Sequence, residues 1–201
     1  MDHSLHILIL AAGRASRMQG RDKLLEPINV EPLLVRMLRL ALETDCPVHV
    51  VLPPDRPLRI AAIGALPVQR IIAEHAADGM SESLKAGLAA LPHTVAVMVL
   101  LADLPEIDSA DLKAMIAAHH AHPAAIIRAT SQAGTPGHPV IFPGRLRADL
   151  VALSGDEGAR MLLKRHAEAV VPVALPDEHA TTDLDTPDDW AQWRRARGIP
   201  N

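Results

Sequence analysis

The sequence predicts one α/β domain in three layers, a mostly parallel sheet covered by helices on both faces. Three observations predict it. Apolar runs of five to seven residues, too short for buried helices, recur along the chain. Stretches with helical spacing of apolar residues stand between them, and that alternation is the signature of parallel strands joined by crossover helices. The 201 residues are 49% hydrophobic, which suits one core of ordinary domain size. No repeat, low-complexity tract or long linker divides them.

The first run, Leu5–Leu10, is apolar except for His6 and reads as a buried strand. A Gly-containing loop, 11–22, follows. Leu33–Leu42 carries Leu34, Met37, Leu38 and Leu42 at helical spacing. Val48–Leu52 is a second strand, stopped by Pro53 and Pro54. A helix is expected over 58–66, a short strand over Gln69–Ile72, and a helix over 81–91 with Ser81 as N-cap. Residues 95–101 form the most apolar strand, and a helix over 110–119 follows it with Asp108 placed to cap. Strands are expected at 124–129, 139–142 and 169–174, a short helix at 158–166, and a last helix at Pro187–Arg197 with proline in its first turn.

Composition narrows the function. Aromatics are one Phe, two Trp and no Tyr, and the net charge is −4. A nucleic-acid groove needs clustered cations and usually stacking rings, so nucleic acid is not an expected partner. One cysteine, Cys46, excludes a disulfide framework within the chain and fits a reducing compartment. The apolar start of the chain is too short for a secretory signal, and no stretch reaches membrane-span length. A cytoplasmic protein acting on small molecules is the expectation. Eleven histidines invite a metal reading, but His119, His120 and His122 sit at a helix end where surface capping suffices. No HExxH or GxSxG occurs.

Ligands of open parallel sheets bind beyond the carboxyl ends of the strands, so loops that follow strands matter most. After the first strand comes Leu10-Ala11-Ala12-Gly13-Arg14, then Arg17, Arg21 and Lys23. Small residues let a ligand approach the backbone, backbone N–H groups can cradle phosphates, and the cations neutralise them. The loop is neither GxxxxGK[ST] nor GxGxxG; a solvated basic loop is the plain alternative. Asp103 follows the most apolar strand and suits a magnesium ligand, or else a helix cap. Asp183 and Asp185 would face one side of an extended segment, available to a metal, while Asp188 and Asp189 suit the positive end of the last helix. Gly79, Ser81 and Ser83 open a helix and could meet a base edge or phosphate, or simply cap.

Taken in order, Leu10-Ala11-Ala12-Gly13, Arg17-Met18, Lys23-Leu24-Leu25, Gly79-Met80-Ser81, Asp103 with Pro105, Gly137-His138-Pro139-Val140, Gly155-Asp156 with Gly158-Ala159-Arg160, and Asp183-Leu184-Asp185-Thr186-Pro187 resemble the molybdenum cofactor nucleotidyltransferases of the MobA/MocA type. Each piece is weak alone; the ordered set spans nearly the whole chain. The resemblance implies a Rossmann-like nucleotidyltransferase fold, with residues 1–105 as nucleotide-binding half and 106–201 as acceptor-binding half. It implies magnesium-dependent transfer of a nucleotidyl group to the terminal phosphate of molybdopterin, with pyrophosphate leaving. Leu10 to Arg14, Arg17, Lys23, Gly79, Ser81, Ser83 and Asp103 would hold the nucleotide, and Lys23, Arg17 and Asp103 would be catalytic. Asp103 would bind the metal with Asp185 or Asp183. Gly137, His138, Pro139, Gly155, Asp156 and Arg160 would face the acceptor. Ala12, where the guanylyltransferase branch usually has Gly, leans the donor to CTP. GTP or another phosphorylated acceptor stays open, as does a non-catalytic cofactor carrier serving a molybdoenzyme; a transferase could equally hand its product to such an enzyme. Three departures stand out: Ala15 in place of Ser, Gln19 in place of Gly, and Asn29-Val30-Glu31 in place of a Gly-containing turn.

Overall fold

A computed structural model describes residues 4–153 and 159–199. The elements in chain order are β1 (Leu5–Leu10), a two-stranded hairpin of β2 (Pro27–Ile28) and β3 (Glu31–Pro32), α1 (Leu33–Leu42), β4 (Val48–Leu52), α2 (Pro57–Ile63), β5 (Gln69–Ile72), α3 (Met80–Ala89), β6 (Ala96–Leu101), α4 (Ser109–Ala121), β7 (Ile126–Thr130), β8 (Pro136–Phe142), α5 (Arg147–Val151), α6 (Arg160–Arg165), β9 (Val170–Ala174) and α7 (Pro187–Arg197). The sheet order is β5-β4-β1-β6-β8-β7-β9. Every neighbouring pair is parallel except those of β8, which runs antiparallel to both β6 and β7. The mostly parallel three-layer arrangement is as expected.

Alternation along the strands sends each second side chain to the opposite face. Ile7, Ile9, Val50, Met98, Leu100 and Ile141 join one core, completed by α1, α4 and α7. Leu8, Val51, Val97, Val99, Val140 and Phe142 join the other, covered by α3, α5 and α6. With one Phe in the chain, branched aliphatics fill most of this space. Both tryptophans lie in the first core, packed edge to face at 5.9 Å between ring centroids.

Several boundaries differ from the sequence expectations for local reasons. Helix α2 stops at Ile63 because Gly64 turns to φ +56°. Ser81 is not an N-cap: α3 starts at Met80 after Gly79, and Ser81 is buried one position inside the helix. Asp108 does cap α4, in a reciprocal box with Asp111. Thr186 caps α7 in the same way with Asp189. His119 is buried rather than on the surface, because it lies one helical turn after buried Met115 on the inward face of α4, while His120 is exposed. The hairpin β2–β3 and helix α5 were not expected; both are too short for a periodic signal. The strand expected at 139–142 is the carboxyl-terminal part of β8, which begins at Pro136. The helix expected from 158 is seen from Arg160, while residues 154–158, including Gly155 and Asp156, lie outside the described residues.

The chain leaves β1 for β4 and β5 on one side, then crosses to β6 on the other. The carboxyl ends of β1 and β6 therefore flank the crevice at the topological switch point, where ligands of such sheets bind. No helix among the described residues is long and apolar enough to cross a membrane.

Candidate functional site

The loop after β1 and the residues after β6 meet in that crevice. Lys23 lies in a short 3-10 turn, 23–25, whose preceding residue Asp22 accepts the Leu24 N–H at 3.1 Å. Its ammonium is 2.7 Å from Asp103, 2.7 Å from Asp185 and 3.1 Å from Asp183. Arg17 pairs with the second oxygen of Asp185 and is otherwise open to solvent. Sequence positions 17, 23, 103, 183 and 185 thus converge in one cluster of charges.

Burial pulls the Lys23 ammonium down, but Asp103 first, then Asp185 and Asp183, overcome it and hold Lys23 well above the ordinary lysine range. Asp183 is pushed up by burial and by its neighbour Asp103, with Lys23 opposing. The Lys23 ammonium thus stands between three carboxylates whose like charges would otherwise face one another.

The segment carrying Asp183 and Asp185 is fixed from its far end. Trp190 is fully buried, Trp193 donates its indole N–H to Glu106 at 2.9 Å, and Arg194 bonds Glu26 at 3.0 Å and the Pro27 carbonyl at 2.9 Å. The Thr186–Asp189 box then sets where α7 begins. Asp189 is held below the usual carboxylate range by those Thr186 hydrogen bonds. The segment is also pinned at Ala180, whose carbonyl accepts from His138 N–H at 3.0 Å. A Cβ on Gly137 would lie 2.0 Å from that carbonyl oxygen, so Gly137 is what lets the segment come this close.

A cavity of about 440 Å³ opens beside Lys23. Leu10, Ala12, Gly13, Arg14, Gly79, Ser83 and Asp103 contribute to its wall. Arg14 donates to the Ala77 carbonyl at 2.9 Å, bracing the two loops that flank it. A smaller hollow of about 200 Å³ shares Gly13, Arg14, Lys23 and Asp103 with it and adds Arg17 and Asp185. A second cavity of about 580 Å³ meets the first at Leu10 and Met80 and is walled by Gly137, His138, Arg128, Arg160, Val140 and Phe142.

Three residues fall elsewhere than expected. Ser81 lines the second cavity rather than the first, and its buried hydroxyl has no hydrogen-bond partner among the described residues. Ala11 lines neither cavity; its carbonyl is engaged from behind by Arg59. Pro139 is buried in β8 and borders neither cavity. Sequence reasoning also missed Arg128, which projects from β7 and donates to the Gly137 carbonyl at 3.4 Å. Burial and the neighbouring Arg160 lower its affinity for a proton, an arrangement that an anion would relieve. A charged residue inside the otherwise apolar run expected as a strand at 124–129 was the available signal. His138 Nδ1 is buried without a hydrogen-bond partner among the described residues, and burial keeps the ring below the ordinary histidine range, hence neutral.

The two departures in the first loop have a structural correlate. Ala15 and Gln19 both adopt left-handed backbone, φ 51° and 52°, where a residue with a Cβ is strained.

Residues 7–170 match the MobA-like NTP transferase domain. The chain belongs to that family. PucB, a purine catabolism protein of Bacillus subtilis (strain 168), is 29% identical over 200 residues, covering 94% of this chain and 95% of PucB. The bifunctional protein GlmU of Alkalilimnicola ehrlichii is 34% identical over 120 residues, 58% of this chain. The chain spans about a quarter of the length of the GlmU relatives it matches, 26% in this case. Among solved structures, Rv0371c from Mycobacterium tuberculosis H37Rv superposes with a TM-score of 0.83 at 25% identity, covering 97% of this chain and all of that one. A second structure of Rv0371c is a complex with manganese, with a TM-score of 0.75 at 25% identity over 94% of this chain and 97% of that one. Nucleotidyl transfer is the activity of the MobA-like family.

Proposed function

We propose that this MobA-like transferase moves the cytidylyl group of CTP to the terminal phosphate of molybdopterin, with magnesium, and releases pyrophosphate. The observation that carries the reading is the convergence of Asp103, Asp183 and Asp185 on one cation position at the edge of the first cavity. Three hard oxygen donors gathered about one point suit magnesium, which is held by carboxylates together with substrate phosphates. When bound there, the metal supplies charge neutralisation to the triphosphate.

Lys23 would leave the carboxylates and, with Arg17, take the β- and γ-phosphates, while backbone N–H groups of the Gly13 loop complete the cradle. An acceptor phosphate oxygen forms the new bond to the α-phosphorus; the bond from that phosphorus to the bridging oxygen of the β-phosphate breaks, and pyrophosphate carries the electron pair away. The attacking oxygen is already anionic, so no general base is required, and positioning with charge neutralisation does the work. The first cavity is walled entirely by residues 10–103, which supports residues 1–105 as the nucleotide half. The second draws most of its wall from residues 128–163, which supports 106–201 as the acceptor half. Arg128, Arg160, His138 and Ser81 would meet its polar groups, and Val140 and Phe142 its flat body. The methyl group of Ala12 in the first cavity favours the smaller pyrimidine base.

Thermal shift with each of CTP, GTP, ATP and UTP, with and without magnesium, tests the donor. At one hundred times the dissociation constant a ligand adds about 2.7 kcal/mol, a rise on the order of 5 °C for a chain of this size. A magnesium-dependent shift largest with CTP supports the reading, one largest with GTP assigns the donor to guanylyl transfer, and none with any nucleotide refutes it.

A further inference from the structure

Arg59 lies on α2 and borders neither large cavity, yet it is 0% exposed. Its guanidinium is spent on the loop beneath Lys23. Nε and one terminal nitrogen bond the two carboxylate oxygens of Asp22 at 2.7 and 2.9 Å. The other terminal nitrogen donates to the Ala11 carbonyl at 2.6 Å. Ala11 and Asp22 are the first and last residues of the loop between β1 and Lys23. Asp22 in turn caps the turn that carries Lys23, through the Leu24 N–H. One side chain therefore joins the two ends of the loop from behind.

Stability alone does not account for this device. A buried ion pair can often be replaced by apolar side chains of similar volume without loss. Apolar side chains cannot reproduce a planar fork that fixes three oxygens at set angles, and neither can lysine, a point charge on a flexible stem. The loop needs such a constraint: Ala15 and Gln19 hold left-handed backbone, which persists only where the surroundings over-determine it.

We infer that Arg59 is a positioning residue. It clamps the ends of loop 11–22 so that Lys23 and the loop N–H groups stand ready for a nucleoside triphosphate. The inference rests on the proposed nucleotide reading for its purpose, but not for the clamp itself.

Two conservative variants test it, Arg59→Lys and Asp22→Asn, the second keeping the oxygen that caps Leu24. Hydrogen exchange of the nucleotide-free protein reads the clamp. Amides of residues 12–25 should exchange at least about tenfold faster in both variants, while those of β1 and β4 keep wild-type rates, as expected of a locally released segment. Kinetics with magnesium-CTP and molybdopterin read the purpose. In both variants kcat should fall by about tenfold to a hundredfold with KM for CTP changed less than about threefold, the pattern of lost positioning. Wild-type exchange in the loop, or exchange raised equally throughout the sheet, would overturn the clamp. Slow loop exchange lost with kcat unchanged would overturn its purpose. A wild-type protein without CTP turnover refutes the functional reading, and the exchange experiment still decides the clamp.

Discussion

Lys23 shares its ammonium among three carboxylates, so its removal should be felt in two ways. Lys23→Met leaves Asp103, Asp183 and Asp185 facing one another without a cation. Its Tm should lie below wild type in metal-free buffer and recover when manganese is added, while the wild-type Tm moves far less; differential scanning calorimetry reads both. Turnover should fall by about a hundredfold to a thousandfold, the usual loss when a charge-stabilising donor is removed. A second residue-scale prediction concerns His49. Its Nε2 lies 2.8 Å from His6 Nδ1 within the sheet, and burial first, then His6, lowers it from 6.5 to about 4. The folded state thus prefers neutral His49, and the unfolded state binds the extra proton between those values. The stabilisation is present above pH 6.5 and is lost as pH falls towards 4, a total on the order of 3 kcal/mol. Urea unfolding across that window should show a steeper loss in wild type than in His49→Gln.

At the scale of elements, the segment 180–186 is held by contacts remote from the chemistry. Gly137→Ala sets a methyl group against the Ala180 carbonyl and should destabilise by about 1–3 kcal/mol, the range for overpacking, with kcat reduced because Asp183 and Asp185 move with the segment. Trp190→Ala removes the largest fully buried side chain and should cost about 3–5 kcal/mol, measured by chemical denaturation. The contrast between the two is informative: the tryptophan holds α7 in the core, whereas the glycine governs only how closely the acidic segment approaches β8.

For the molecule as a whole, the centre of the sheet was legible in the sequence because β1, β4 and β6 are buried on both faces and read as continuous apolar runs. β1 and β4 fall on the expected residues, and so does the largely exposed edge strand β5. Position 103 was legible for the same reason, as a carboxylate at the end of such a run. Ser81 was misplaced because a serine before an apolar stretch signals a cap, whereas here Gly79, at φ 126°, ends the preceding turn and the helix starts one residue early. Arg59 was not legible: its partner Asp22 lies 37 residues away, a distance over which local pattern carries no signal. Arg128 left a trace, a charge inside an apolar run, but nothing local pointed to its partner Gly137, 9 residues away across a strand turn. The antiparallel direction of β8 was equally hidden, since an apolar run does not state its direction.

Transfer of a cytidylyl group to molybdopterin is tested most directly by incubating the protein with molybdopterin, magnesium and each nucleoside triphosphate in turn, following pyrophosphate release and the mass of the pterin product. With CTP, one pyrophosphate should appear per product, the product should be heavier by one cytidylyl group, and Asp103→Asn should give neither signal. Pyrophosphate release with GTP alone, or no transfer with any triphosphate, would contradict cytidylyl transfer.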